Sequence, residues 1–189
     1  LYRGNHQARP LEKALQLSRI PYHLTGALSF LDRAEVKDVL AYLRLVANPD
    51  DDAAFLRVVN VPRREIGATT LERLGELAQS KHLSMLRAAH SPAALQQLSA
   101  RPAAALAGFV DLIESLAQHA KQAAEELVEE VLKRTRYMEH LAHGARDPAL
   151  QERKLDNVRE LMDWFRAMDS GRARVGDLAA QLALLSHAD

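Results

Sequence analysis

The chain has 189 residues, enough for one domain with a sizeable core and a piece of a neighbouring one. Its 25 Lys plus Arg balance its 25 Asp plus Glu, so no bulk positive field announces nucleic acid, and any such contact must be local or borrowed from a larger assembly. Cysteine is absent, which excludes a disulfide framework and a thiolate metal site, and no apolar run approaches the roughly 18 residues of a membrane span, so a soluble, intracellular protein is the expectation.

Residues 1–3 read as the end of a strand, and Tyr2-Arg3-Gly4-Asn5-His6-Gln7-Ala8-Arg9 continues as a polar, extended or turn-like run. Extended backbone puts Arg3, Asn5 and Gln7 on one side. A guanidinium fork beside two amides suits a phosphate–sugar backbone and base edges, and supplies no nucleophile or metal cage. Taken by themselves these residues are more simply a polar surface loop that caps the next helix. That helix runs from Pro10 to about Arg19, with Leu11, Ala14, Leu15 and Leu17 as its apolar positions. Arg9 can pair with Glu12 at i and i+3. Ile20 to Leu24 is a second strand candidate, with Pro21 at its edge.

Abundant Ala and Leu, with aromatics at only 5%, favour packed helices over a sheet for the rest of the chain. Asp32 with Glu35 fits an Asp version of a capping box opening a helix through Val46, whose buried stripe is Val36, Val39, Leu40, Leu43 and Val46. Asn48-Pro49 ends it. Asp50 to Asp52 set acids at the positive end of the next helix, with Phe55, Leu56, Val58 and Val59 as its apolar face. Arg33, Glu35, Lys37 and Asp38 read as an intrahelical salt-bridge lattice, and Tyr42 and Trp164 as packing residues.

Pro62-Arg63-Arg64-Glu65-Ile66-Gly67-Ala68-Thr69-Thr70 is the second informative stretch. Thr69 with Glu72 fits a capping box, which starts a helix near Thr70 and runs it to about Gln79. Gly67 just ahead permits a tight turn and close approach of a partner. A Gly turn, exposed amides and a helix N-terminus make an anion site for one phosphate, and Arg63 and Arg64 add positive charge beside it. An ordinary interhelical turn is the plainer alternative.

Beyond Leu83 the chain reads as helices with little chemistry: Ser84 to His90, Pro92 to Leu98, Pro102 to about Gln118, Ala123 to Arg134, Asp147 to Met168 and Val175 to Leu185, with Gly171 as a stop. Leu106, Phe109, Val110, Ile113, Leu116 and Ala117 form one predicted core stripe, and Leu127, Val128, Val131 and Leu132 another. His140 and His143 stand at i,i+3, but no acid or cysteine joins them at metal spacing, so no metal ligand set is assigned. No Gly-Lys-Thr phosphate loop occurs, so the chain cannot cradle a triphosphate by itself. No catalytic residue is assigned.

Taken together, the 2–9 stretch, Ile20-Pro21-Tyr22, Gly26, Ser29 to Asp38, Leu40 to Arg44, Asn48 to Arg57 and Asn60 to Leu71 resemble, in order and spacing, the superfamily 1 DNA helicases of the UvrD/PcrA/Rep group, the Rep branch most of all. The likeness is dense to about residue 74 and returns at Glu152-Arg153, Asn157-Val158 and Glu160-Leu161. It implies a mainly α fold: a multi-helix 2B subdomain over 26–189, with a short α/β remnant of the 2A motor subdomain over 1–25. It implies a piece excised from a longer ATP-dependent enzyme that moves 3′ to 5′ along single-stranded DNA and unwinds duplex in replication or repair, in the bacterial cytoplasm with the nucleoid. ATP and Mg2+ would bind elsewhere in that parent, and the chain alone would be inactive. Arg3 and Asn5 match motif positions that contact the single strand, with Gln7 beside them. Arg63, Arg64, Ile66, Gly67, Thr69 and Thr70 resemble the Gly-Ile-Gly helix-hairpin-helix element that grips duplex, with Glu65 in place of the first glycine. Thr25 to Leu28 and Ser186 to Asp189 would be hinges. The partners implied are DNA, the remaining helicase subdomains and replication or repair proteins, with no membrane. A helical protein-interaction module with a decayed DNA site is the alternative, favoured by the neutral charge and by Glu65.

Overall fold

The computed structural model describes residues 30–119, 124–144 and 147–168, together with 14, 15, 18 and 20. The expected strand at 1–3, the 2–9 polar run, both hinges, Gly171 and the Val175–Leu185 helix lie outside these, as do the expected strand at 20–24 apart from Ile20, which is in no regular element, and most of the Pro10–Arg19 helix, of which Ala14 and Leu15 are helical. Among the described residues there is no strand. After a 3-10 turn at Phe30–Asp32 come α1 (Ala34–Ala47), α2 (Asp52–Val58), α3 (Ala68–Lys81), α4 (Met85–His90), α5 (Pro92–Leu95), α6 (Ala100–His119), α7 (Ala124–Thr135), α8 (Tyr137–His143) and α9 (Pro148–Met168). The mainly α expectation holds.

Helix α1 is the axis of the packing. Its apolar residues fall on more than one face: Ala41, Tyr42 and Leu45 are buried as well as the predicted Val36, Val39, Leu40, Leu43 and Val46. A helix apolar most of the way round must be covered on several sides. Helices α2, α6, α7 and α9 supply that cover; α4 packs on α2 and α6, α5 on α4 and α6, and α3 joins them through α4. Phe55 of α2 meets Phe109 of α6 edge to face, with ring centroids 5.7 Å apart. Tyr42 and Trp164 are buried, in line with the expectation that they are packing residues.

The polar start of α1 is satisfied from afar. The predicted Asp32–Glu35 capping box does not form: Arg33 is the N-cap without a side-chain cap, and Asp32 sits in the 3-10 turn, paired with Lys37 at 2.7 Å. Glu35 turns inward instead. Its carboxylate accepts a hydrogen bond from the buried Asn157 of α9, whose amide oxygen accepts from Arg33. Asp38 takes an ion pair from Arg57 at 2.9 Å and a hydrogen bond from the Tyr137 hydroxyl at 2.7 Å. Burial, then the Asp38 carboxylate, pushes the Tyr137 phenol far above its ordinary value, so it stays a donor. The expected intrahelical lattice is thus mostly a set of ties between helices, because burial leaves each of these groups to be paired or to carry a desolvation cost.

Other boundaries shift for local reasons. Asp51 caps α2, accepting from the Ala54 amide at 2.9 Å, but Leu56 faces solvent at 51% exposure and leaves the apolar face to Ala54, Phe55, Val58 and Val59. Arg136, at φ 54°, breaks what would be one helix into α7 and α8, and the short α8 is an element the sequence pattern does not mark. Phe55→Ala should cost about 3–5 kcal/mol in chemical denaturation. Leu56→Ser, one residue along, should stay within about 0.5 kcal/mol.

Candidate nucleic-acid interface

Residues 59–67 link the end of α2 to the start of α3, and their side chains alternate in purpose. Asn60 pins the loop from inside: its amide oxygen accepts the Arg64 N–H at 2.7 Å and its amide nitrogen donates to the Ile66 carbonyl at 3.2 Å. The Val61–Pro62 peptide within it is cis. Arg64 points inward. Its guanidinium donates to the carbonyls of Val58 at 3.0 Å, Val59 at 3.1 Å and Pro62 at 3.2 Å, and to the Tyr42 hydroxyl at 2.7 Å. It lies over the Phe109 ring, 4.9 Å from the centroid. Val58 and Val59 close α2, where carbonyls lack partners within the helix, so this arginine acts as a C-terminal cap. The Tyr42 hydroxyl in turn donates to the Val61 carbonyl, and burial holds its phenol above the ordinary value although Arg64 pulls the other way. Ile66, at 2% exposure, plugs the loop onto the core.

Arg63, Glu65, Gly67 and Thr69 face outward, and Thr70 is half-buried. The predicted Thr69 cap is replaced by Gly67: α3 starts at Ala68, and the Gly67 carbonyl accepts from the Thr70 and Leu71 amides at 3.1 and 3.2 Å. Gly67 offers no side chain to the first amides of α3. Its backbone is extended, at φ −77° and ψ 163°, and a Cβ built there would meet nothing within 4 Å. Neither the turn nor internal packing therefore requires glycine at this position; what it leaves open is the approach from outside. The left-handed residue is Glu65, at φ 60°. Glycine adopts that conformation without strain and glutamate does not.

Asn60, Arg63, Glu65, Ile66, Gly67 and Ala68 line an open depression of about 500 Å³, whose far wall is Arg101 and Pro102 at the start of α6. Arg101 and Glu65 form an ion pair across it. Two positive groups and the amide end of a 14-residue helix thus border one recess, an arrangement suited to a phosphate. Of the six residues expected at a duplex site, Arg63 and Gly67 are exposed in the depression, Thr69 is exposed but does not line it, Thr70 is half-buried, and Arg64 and Ile66 are turned inward and hold the loop. Arg3, Asn5 and Gln7 lie outside the described residues. Arg101 escapes a reading of the sequence because it is 36 residues from Glu65 and no local spacing marks it. Asn60 carries a signal, as an Asn opening a turn. Among the described residues no group of three or more His, Asp or Glu is placed to hold a metal ion.

Arg64→Ala should lower stability by about 2–3 kcal/mol, through the lost guanidinium hydrogen bonds and the lost ring contact, read as a shifted urea midpoint at unchanged slope. Glu65→Gly should raise stability by up to about 1 kcal/mol by relieving the left-handed backbone.

Comparison with known proteins places the chain in a family. Residues 1–186 match the family described as UvrD-like helicase C-terminal domain. The chain is 42% identical over 171 residues to ATP-dependent DNA helicase Rep of Escherichia coli, covering 90% of this chain and 25% of that protein. It is 40% identical to ATP-dependent DNA helicase PcrA of Bacillus subtilis, covering 86% of this chain and 22% of PcrA, and 37% identical to DNA helicase II of Escherichia coli, covering 100% and 26%. The chain therefore spans about a quarter of the length of these relatives. An all-helical set of described elements, ordered motifs through residue 74 and a family match over nearly the whole chain lead to one conclusion: the protein belongs to the UvrD-like helicase C-terminal domain family.

Proposed function

We propose that this chain is the duplex-holding arm of an ATP-dependent 3′–5′ DNA helicase that works in replication or repair. The observation that carries the proposal is the uncapped start of α3 at Gly67, open to solvent, with Arg63 beside it in the same depression. Backbone amides at a helix N-terminus bind a phosphate without reading sequence, which is what a translocating enzyme needs from its hold on duplex. The relatives' names, ATP-dependent DNA helicase in two of the three cases, support the parent activity.

In this reading residues 26–189 form the arm, and residues 1–25 belong to the neighbouring motor subdomain, where Arg3, Asn5 and Gln7 hold the single strand. ATP and Mg2+ do not fit this chain's own residues, since no phosphate loop occurs in its sequence. They belong to the remaining helicase subdomains, which are its first partners, and the chain alone performs no chemistry. The parent acts where the DNA is, in the bacterial cytoplasm; among the described residues no helix is long and apolar enough to cross a membrane.

Gly67→Asp separates folding from binding. Its carboxylate can cap α3, so stability should hold or rise by a few tenths of a kcal/mol. The same carboxylate occupies the phosphate position, so duplex affinity, measured by fluorescence anisotropy, should fall at least about tenfold. Arg63→Ala should make the salt dependence of binding shallower by about 0.9 in the log–log slope. Duplex binding indifferent to both substitutions would remove the α3 start from the function, as a helical protein-interaction module requires.

A further inference from the structure

The depression beside Gly67 contains an ion pair that no local sequence signal indicates. We propose that Arg101 is a second phosphate-contacting side chain of the duplex site and that Glu65 is its internal competitor, a carboxylate that DNA must displace. The inference rests on the duplex-holding reading and adds to it how the grip is moderated.

Three observations carry it. Glu65 and Arg101 come from different elements, the α2–α3 loop and the start of α6, and meet across the recess that Arg63, Gly67 and Ala68 also border. Both remain largely in solvent, with side chains 52% and 81% exposed, so the pair is not part of the core and its opening leaves no buried charge behind. Arg64, one residue before Glu65, is fully engaged in holding the loop, so the cations bordering the recess are Arg63 and Arg101.

The chemistry is an exchange of like partners. A guanidinium offers five N–H donors in a planar fork, and a carboxylate and a phosphodiester each carry one negative charge with two oxygens in matching geometry. A screened, exposed ion pair opens at small cost, so a phosphate held by the α3 amides can take Arg101 from Glu65. Glu65 then stands beside a phosphate and repels it. Its left-handed backbone keeps it at the rim, because it sits between two residues turned inward, Arg64 and Ile66. The grip on duplex is thereby weaker than the arginine count implies, which suits a contact that must be made and released repeatedly.

The test measures binding of the chain to a short blunt DNA duplex by anisotropy across salt concentrations, for the parent sequence, Glu65→Gln, Arg101→Ala and the double variant. Glu65→Gln should tighten binding about two- to fivefold, the range an exposed ion pair represents. Arg101→Ala should weaken binding and make the salt slope shallower by about 0.9. The gain from Glu65→Gln should shrink in the Arg101→Ala background, which a simple change of net charge does not predict. Glu76→Gln, the same charge change two turns along α3 and outside the depression, should leave affinity within about twofold. Unchanged affinity in Glu65→Gln, or an unchanged slope in Arg101→Ala, overturns the proposal even when Gly67→Asp and Arg63→Ala behave as expected. When those two also have no effect, it is the duplex-holding reading that fails. A parent sequence too weak to measure does not rescue it: Glu65→Gln must then bring binding into range, and its failure to do so overturns the proposal.

Discussion

Helix α1 is apolar around most of its circumference, and that single constraint organises the described residues. Val36, Val39, Tyr42, Leu43 and Leu45 are each at 2% exposure or less, so the helix cannot lie on a surface. Four helices cover it, and the remaining described helices attach to those directly or, for α3, through α4. Covering such a helix also buries the polar groups at its first turn. Glu35, Asn157, Asp38 and Tyr137 answer that by pairing across α1, α8 and α9, so no carboxylate there is left dry and alone. These ties also determine which face of α9 meets α1.

The same helix reaches the outer loop through Tyr42. Its hydroxyl, the Phe109 ring and the carbonyls at the end of α2 together make a socket of the shape and polarity a guanidinium fills. Arg64 occupies it, and the α2–α3 loop is thereby fastened at one point. Its neighbours on either side are turned out into solvent. An arginine in a basic-looking motif thus serves the fold, and its immobility is what presents Arg63, Glu65 and Gly67 in defined positions. Cation–π contact and four hydrogen bonds from one side chain could not be replaced by lysine, whose ammonium has neither the planarity nor the reach.

A net charge of zero fits this division of labour. Among the described residues Arg44, Arg57, Arg87 and Arg166 are each paired with carboxylates, so part of the positive charge is cancelled close to where it arises. Where positive side chains meet a helix start among the described residues, Arg63 and Arg101 border one recess beside the first amides of α3. A phosphate contact of that kind is short-ranged and salt-sensitive.

Much of this was legible in the sequence. Helical composition, the stripe of α1, the acidic start of α2 and the Arg63–Thr70 motif all depend on residues within a turn or two of each other, and local spacing records such relations directly. The family likeness was equally legible, because it rests on ordered motifs. What the sequence could not contain was the partner of each polar group. Glu35 had the spacing of a capping box yet pairs with Asn157, 122 residues away; Arg64 had the look of a DNA contact yet caps α2; and Arg101 had no distinguishing neighbour at all. Local pattern marked most of the described helices and much of the apolar face of each, but not the break at Arg136 or the outward turn of Leu56. Only the tertiary packing decided which charges were consumed internally and which were left to face a ligand, because burial, and not sequence separation, sets the cost of leaving a polar group unpaired.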